Sequence, residues 1–124
     1  MREILFRGKE LHSGKWVEGD LLNAGYDYIT AIRKISGVCG EVIGIDPKTV
    51  GQYTGLTDKN GKKIFEGDIV SLWEDIYTCV FDEYNFGYEC SNTKNDISFA
   101  CVLAEDVEII GNIYDNPELL KGGD

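Results

Sequence analysis

The feature that most constrains this chain is an internal echo. Lys15-Trp16-Val17-Glu18-Gly19-Asp20-Leu21-Leu22 and Lys63-Ile64-Phe65-Glu66-Gly67-Asp68-Ile69-Val70 align at an offset of 48, with four positions identical and the other four apolar or aromatic in both. The register continues without a gap, so that Asp27 and Thr30 fall over Asp75 and Thr78. A further echo follows at an offset of 60, where Val50-Gly51-Gln52-Tyr53 resembles Ile110-Gly111-Asn112-Ile113. A fixed-period match of this kind reads as a duplicated unit, each copy too small to bury its own apolar face alone. The change of offset places about twelve extra residues in the second copy, within the polar stretch near 82–96. The expected organisation is a first β-unit over 1–56 and a second over 57–124, together forming one body.

Short apolar or alternating runs, broken by Gly, Asn, Asp and Ser, are the signature of strands. They predict strands over Arg2–Arg7, Lys15–Leu22, Tyr26–Arg33, Glu41–Ile45, Thr49–Thr54, Ile69–Trp73, Tyr77–Asp82, Phe86–Ser91, Ile97–Leu103 and Val107–Ile110. Asn60-Gly61 is the strongest short turn signal, because both residues accept the positive φ of a type I′ turn. Helix is scarce. Asn116-Pro117-Glu118-Leu119-Leu120 combines a capping Asn, a Pro suited to the first helical position and an acid at the positive end of the dipole, so it predicts a short C-terminal helical turn. Asp46-Pro47-Lys48-Thr49 is a weaker start of the same kind. The fold class expected is mainly β, with the character of an SH3-like or partly open barrel in each unit.

Charge is distributed unevenly. Residues 1–64 carry 8 acids and 10 bases, whereas residues 65–124 carry 14 acids and only Lys94 and Lys121 as bases. A half of that sign repels nucleic acid, whose binding rests on neutralising phosphates, and attracts basic partners. No apolar run approaches the ~20 residues that span a bilayer. The opening Met1-Arg2-Glu3-Ile4-Leu5-Phe6-Arg7 reads as a strand rather than a leader, so the expectation is a cytoplasmic protein with no membrane role. Cys39, Cys79, Cys90 and Cys101 include no Cys-x-x-Cys pair, so buried thiols are expected instead of a zinc site or disulfide.

The repeated Glu-Gly-Asp step invites a catalytic reading, since paired carboxylates can act as acid and base. Glu18, Asp20, Glu66 and Asp68 are those candidates. A structural reading is stronger: Gly permits a tight turn, Asp accepts neighbouring backbone N–H groups, and the flanking apolar pairs enter a core. On that reading the motif is a fold-making turn used twice. His12 stands alone in a polar stretch without a paired nucleophile. Gly51-Gln52-Tyr53-Thr54-Gly55 and Ile43-Gly44-Ile45 lack the Lys-Ser/Thr ending of a phosphate loop. No catalytic residue, metal ligand or cofactor site is assigned, and no cofactor is expected. Lys59, Lys62 and Lys63 form the one dense basic cluster and would be the contact in a nucleic-acid-binding reading. Trp16, Trp73 and the tyrosines suit stacking on bases, or equally core and cross-strand packing.

Three stretches resemble one family. Arg2–Lys9 with Gly14–Gly19, the long central run Val50–Val70 containing Tyr53-Thr54-Gly55-Leu56-Thr57-Asp58-Lys59-Asn60-Gly61, and Val107–Leu120 with Gly111-Asn112-Ile113-Tyr114-Asp115-Asn116-Pro117 are similar, in order, to the YopX family of phage and prophage proteins. The resemblance spans nearly the whole chain. It implies a mainly-β fold and a phage or prophage origin. It carries over no catalytic or ligand residues, since the family is uncharacterised, and it does not reach Phe81–Ala100.

The resulting expectation is a non-enzymatic accessory protein that binds a host or phage macromolecule, basic in character, or that self-associates. Glu74, Asp75, Asp82, Glu83 and Glu89 are the partner-contact candidates. The alternatives are a small-barrel nucleic-acid binder using the Lys59–Lys63 hairpin, and an enzyme using the Glu/Asp pair.

Overall fold

The computed structural model describes residues 4–24, 29–34, 41–82, 87–92, 96–98 and 102–121. Cys39, Cys101, Glu83 and the Asp27–Tyr28 part of the echo lie outside them. The chain divides into two compact units, residues 1–53 and 54–124. The uneven charge follows this division. The first unit has 7 acids and 7 bases, and the second 15 acids and 5 bases.

The first unit holds β1 (Phe6–Lys9), β2 (Trp16–Ala24), β3 (Ile29–Lys34), β4 (Glu41–Gly44) and the start of β5 (Gly51–Thr57). These are antiparallel in the order β4-β3-β2-β1-β5. β2 changes partner along its length: Trp16–Gly19 pair with Lys9–Phe6, and Asp20–Ala24 pair with Arg33–Ile29. Alternation puts Val17 and Leu21 on one face, where they pack with Ile32, Ile43, Ile45 and Val50. A 3-10 turn at Pro47–Thr49 follows, with the Asp46 carboxylate accepting the Lys48 N–H at its start.

The second unit holds the end of β5, β6 (Lys63–Phe65), β7 (Asp68–Leu72), β8 (Asp75–Asp82), β9 (Gly87–Ser91), β10 (Asp96–Ser98), β11 (Val107–Asn112) and α1 (Glu118–Lys121). Its five-stranded sheet runs β10-β9-β8-β7-β11. Ile64, Val70, Leu72, Tyr77, Cys79, Cys90 and Val107 form the core, joined by Leu56, Ile97, Val102 and Ile109. A 3-10 turn at Ala104–Asp106 precedes β11. The order strand, motif, strand, strand, 3-10 turn, strand is therefore common to the two units, with β10 an addition in the second.

The fold is mainly β, in two open sheets that do not close into a barrel among the described residues. The C-terminal helical turn lies where the Asn-Pro-Glu signal predicts it. Two expectations need correction. The Asn60-Gly61 turn is not type I′: of the two residues only Gly61 has a positive φ, at 81°. The Gly61 N–H donates to the Asp58 carbonyl, and the Asp58 N–H to the Lys62 carbonyl. That is a three-residue loop, a type I turn closed by a left-handed glycine. The Glu-Gly-Asp step is a turn only once. Glu66-Gly67 separate β6 from β7, but Glu18-Gly19-Asp20 lie inside the continuous strand β2.

Candidate functional site

The two Glu-Gly-Asp copies, the candidates for acid–base chemistry, place their acids differently. In the second, Gly67 has φ 94°, a conformation open to glycine and strained for other residues. Its N–H donates to the Cys79 carbonyl and its own carbonyl accepts from the Ile113 N–H. Asp68 is 2% exposed, and its Oδ2 accepts the Phe65 N–H at 2.8 Å, closing the turn from inside. In the first copy, Glu18 is exposed, and Asp20 faces Arg33 across β3 at 3.9 Å with both side chains about half exposed. What the geometry shows for Asp68 is a buried backbone acceptor.

A second buried acid sits just upstream. Asp58 is 3% exposed. Its Oδ1 accepts the N–H groups of Asn60 and Lys62, and its Oδ2 accepts that of Ile109 at 3.0 Å. Burial alone would raise its pKa. The three N–H donors, helped by the Lys62 charge, outweigh burial and hold it below the ordinary aspartate range. The Lys59 N–H adds a bond to the Val107 carbonyl. The central run of the sequence thus builds a loop that is tied by one carboxylate to β11, 51 residues away.

On that loop Lys59 and Lys62 are exposed, and Lys63 opens β6. The Lys59 ammonium lies 3.4 Å from Glu108, so its charge is offset at the surface. In the first unit, Arg7 lies over the Trp16 ring at 4.6 Å and Lys9 at 5.5 Å, which uses Trp16 as a cross-strand platform for cations. His12 is exposed and lines an open groove with Glu10, Leu11, Glu41, Val42, Ile43 and Gly44. Among the described residues, no group of three or more His, Cys, Asp and Glu side chains is placed to hold a metal ion.

The partner-contact candidates do not form one cluster. Glu74 and Asp75 stand together at the β7–β8 turn, both exposed. Asp82 ends β8, seven residues beyond Asp75 and therefore about 23 Å away at the strand's rise. Glu89 is half-buried on β9, in register with Val80 and Ser98.

The turn that carries Glu74 also holds a residue the sequence reading had placed on a strand. Leu72 pairs with Asp75, so Trp73 and Glu74 alone make the hairpin loop. Their φ angles are 49° and 75°. This is the two-residue turn with both residues left-handed that Asn-Gly or Gly-Gly serves best, built instead from Trp and Glu. The Trp73 side chain is 54% exposed. Neither residue is a turn former, so the sequence carries no local signal for this turn. At the other end of the unit, the Asn112 Oδ1 accepts from Tyr114 and Asp115, and the Asn116 Oδ1 accepts from Asn112. The Gly-Asn-x-x-Asp-Asn-Pro run is thereby a hydrogen-bonded closure.

Taken together, these features define an all-β protein of two open-sheet units whose unusual polar groups serve the backbone. A model of the YopX protein family matches residues 5–121. The chain belongs to the YopX family. It is also similar to a crystal structure of protein EF1440 from Enterococcus faecalis, with 24% identity, a TM-score of 0.60, and coverage of 97% of this chain and 99% of that one. At that identity the likeness concerns the fold. No curated protein matches the chain. No helix among the described residues is long and apolar enough to cross a membrane.

Proposed function

We propose that this chain is a phage or prophage accessory protein that works as a non-enzymatic binding module. Its contact surface is the Trp73-Glu74-Asp75 hairpin tip, and its partner is a basic macromolecule. The observation that carries this reading is the half-exposed Trp73 on a two-residue turn with both φ angles positive. Each left-handed non-glycine residue costs about 1–2 kcal/mol, and a common Asn-Gly pair would recover about 1 kcal/mol of the total. Stability therefore does not account for Trp-Glu at this position. An exposed Trp flanked by two carboxylates is suited to an arginine or lysine side chain, which it can meet by cation–π contact and charge together. The net charge of -10 on residues 54–124 favours the same class of partner. The acids at Asp82, Glu83 and Glu89 then act as a long-range field, outside the contact itself.

The shared order of elements in the two units supports a duplicated origin. It also supports reading the motif as scaffold. The test is affinity capture from host cells carrying the phage or prophage, with the native chain beside Trp73→Ala and a Glu74→Lys/Asp75→Lys double variant. All are exposed positions at which folding should survive. Loss of the same captured proteins from both variants is the expected result. An unchanged set of partners rejects the tip as the contact. A salt-dependent titration with single- and double-stranded oligonucleotides is the control. Binding that is lost on replacing Lys59, Lys62 and Lys63 would transfer the function to the basic loop.

A further inference from the structure

Two thiol side chains buried in the second unit have no part in the tip or the turns. Cys79 on β8 and Cys90 on β9 are direct cross-strand partners. Both are fully buried, neither is in a disulfide, and both belong to the core cluster. Directly opposed residues of an antiparallel pair stand about 4.5 or 5.5 Å apart at Cα, depending on their place in the ladder. Both separations fall within the roughly 4.4–6.8 Å that a disulfide spans. A pair of small apolar residues would fill the same core space, so packing alone does not call for two opposed sulfurs.

We infer that Cys79 and Cys90 form an oxidisable dithiol that closes to a cross-strand disulfide when hydrogen peroxide reaches it. The Cys90 thiolate attacks the peroxide oxygen, giving a sulfenic acid, and the first water leaves once its oxygen is protonated. The Cys79 sulfur then attacks the Cys90 sulfur. The S–S bond forms, and the sulfenic hydroxyl leaves with the Cys79 proton as a second water. Two thiols are oxidised by two electrons and one peroxide is reduced. The order of attack follows from local chemistry. The hydrogen bond from Cys79 draws the Cys90 thiol below its ordinary pKa, against burial and the charge of Glu89.

Access is through the sheet edge. Cys90 is in register with Ile97 of β10, an outermost strand of three residues whose Asp96 and Ser98 are exposed. Short edge strands open at low free energy, so lifting β10 uncovers Cys90 without unfolding the unit. Closure then locks β8 to β9 and shortens the free chain of the unfolded state, which raises stability.

The experiment is peroxide treatment of the full chain, followed by thiol blocking and cleavage at acidic residues, which separates the two cysteines at Asp82, Glu83 and Glu89. The expected product is a peptide pair joined through Cys79 and Cys90. It should be accompanied by a rise in Tm on the order of 10 °C that a thiol reductant reverses. Cys79→Ala and Cys90→Ala should each remove both signals. Should either variant fail to fold, the linkage map of the native chain decides alone. A bond from either residue to Cys39 or Cys101 would overturn the assignment. So would sulfinic acids without a bond, or thiols that stay unreacted in the folded chain.

Discussion

The same eight-residue pattern does two different jobs in this molecule. In the second unit Glu66-Gly67 break the strand, Gly67 takes a left-handed conformation, and Asp68 turns inward to hold the Phe65 N–H. In the first unit the strand runs through unbroken, and Gly19 is needed for a different reason. A Cβ there would collide with the Arg33 backbone oxygen and lie 3.0 Å from Ile32 Cγ2. Gly19 sits where β2 passes from β1 to β3, and the absence of a side chain lets β3 approach. One glycine supplies a dihedral and the other supplies space. Pattern identity therefore fixed which residues lie at a critical point, but not which property of glycine is used.

The largest contrast lies just ahead of the motif, where Glu10 and Asp58 are related by the same offset of 48. Both open the turn before their motif, with Glu10 N–H bonded to the Lys15 carbonyl and Asp58 N–H to the Lys62 carbonyl. Only Asp58 adds a buried carboxylate that serves three N–H groups. Asp58→Ala should cost about 3–4 kcal/mol, because it orphans those donors, and Glu10→Ala less than about 0.5 kcal/mol. Urea unfolding monitored by circular dichroism measures both. The carboxylate also links stability to pH. Its folded pKa is depressed, so its contribution is complete above the ordinary value of 3.8 and is lost as pH falls through the lowered folded value. Acidification below that range should lower Tm, and the Asp58→Ala chain should lose less over the same interval. Equal slopes would mean that Asp58 is not the linked group.

Gly19→Ala should cost about 3 kcal/mol, since the obstructing atom is backbone and the strand itself must move. Gly67→Ala should cost about 2 kcal/mol from its dihedral, with Tyr114 Cε2 at 3.3 Å from the added Cβ adding strain. Asparagine discriminates the causes. It accepts a left-handed conformation, so Gly67→Asn should recover part of the loss, whereas Gly19→Asn should recover none. Equal recovery at both sites would erase the distinction.

These contrasts explain what the sequence made legible. The strands were readable because alternation and apolar runs report burial directly, as Val17, Leu21 and Ile32 show in one unit and Val70, Leu72 and Tyr77 in the other. The C-terminal turn was readable because Asn, Pro and Glu act locally. Asp58 was not singled out, because its third bond reaches Ile109, and a separation of 51 residues leaves no local pattern. The Asn60-Gly61 signal identified a real turn and the wrong type, since the bond from Asp58 selects a three-residue loop. Trp73-Glu74 gave no turn signal at all. Its conformation is imposed by pairing on both sides, Leu72 with Asp75 and then along β7 and β8. The Cys79–Cys90 pair needed the register of β8 on β9, which composition does not contain.

The two motif acids differ in burial, Asp68 inside and Asp20 half exposed. Asp68→Ala should cost about 2 kcal/mol for an unsatisfied buried N–H, while Asp20→Ala should change stability by less than about 0.5 kcal/mol, as half-exposed ion pairs usually do. If Asp20→Ala proved as damaging as Asp68→Ala, the two copies would be doing equivalent work after all.

The smallest expected effect has the opposite sign. Replacing Trp73-Glu74 with Asn-Gly relieves two left-handed non-glycine residues and should stabilise the chain by about 1 kcal/mol, visible as a Tm rise of a few degrees. The comparison is with Ser13-Gly14 on the first unit's own turn, where Gly14 already takes the positive φ of 71° and Ser13 is not left-handed. A Ser13→Asn change there should alter stability little. The Asn-Gly tip should at the same time abolish capture of whatever basic partner the native tip retains. A chain that became more stable and still bound would show that Trp73 and Glu74 are strained but are not the contact. A chain that became more stable and lost its partner would mark the turn as a place where folding stability was given up for contact.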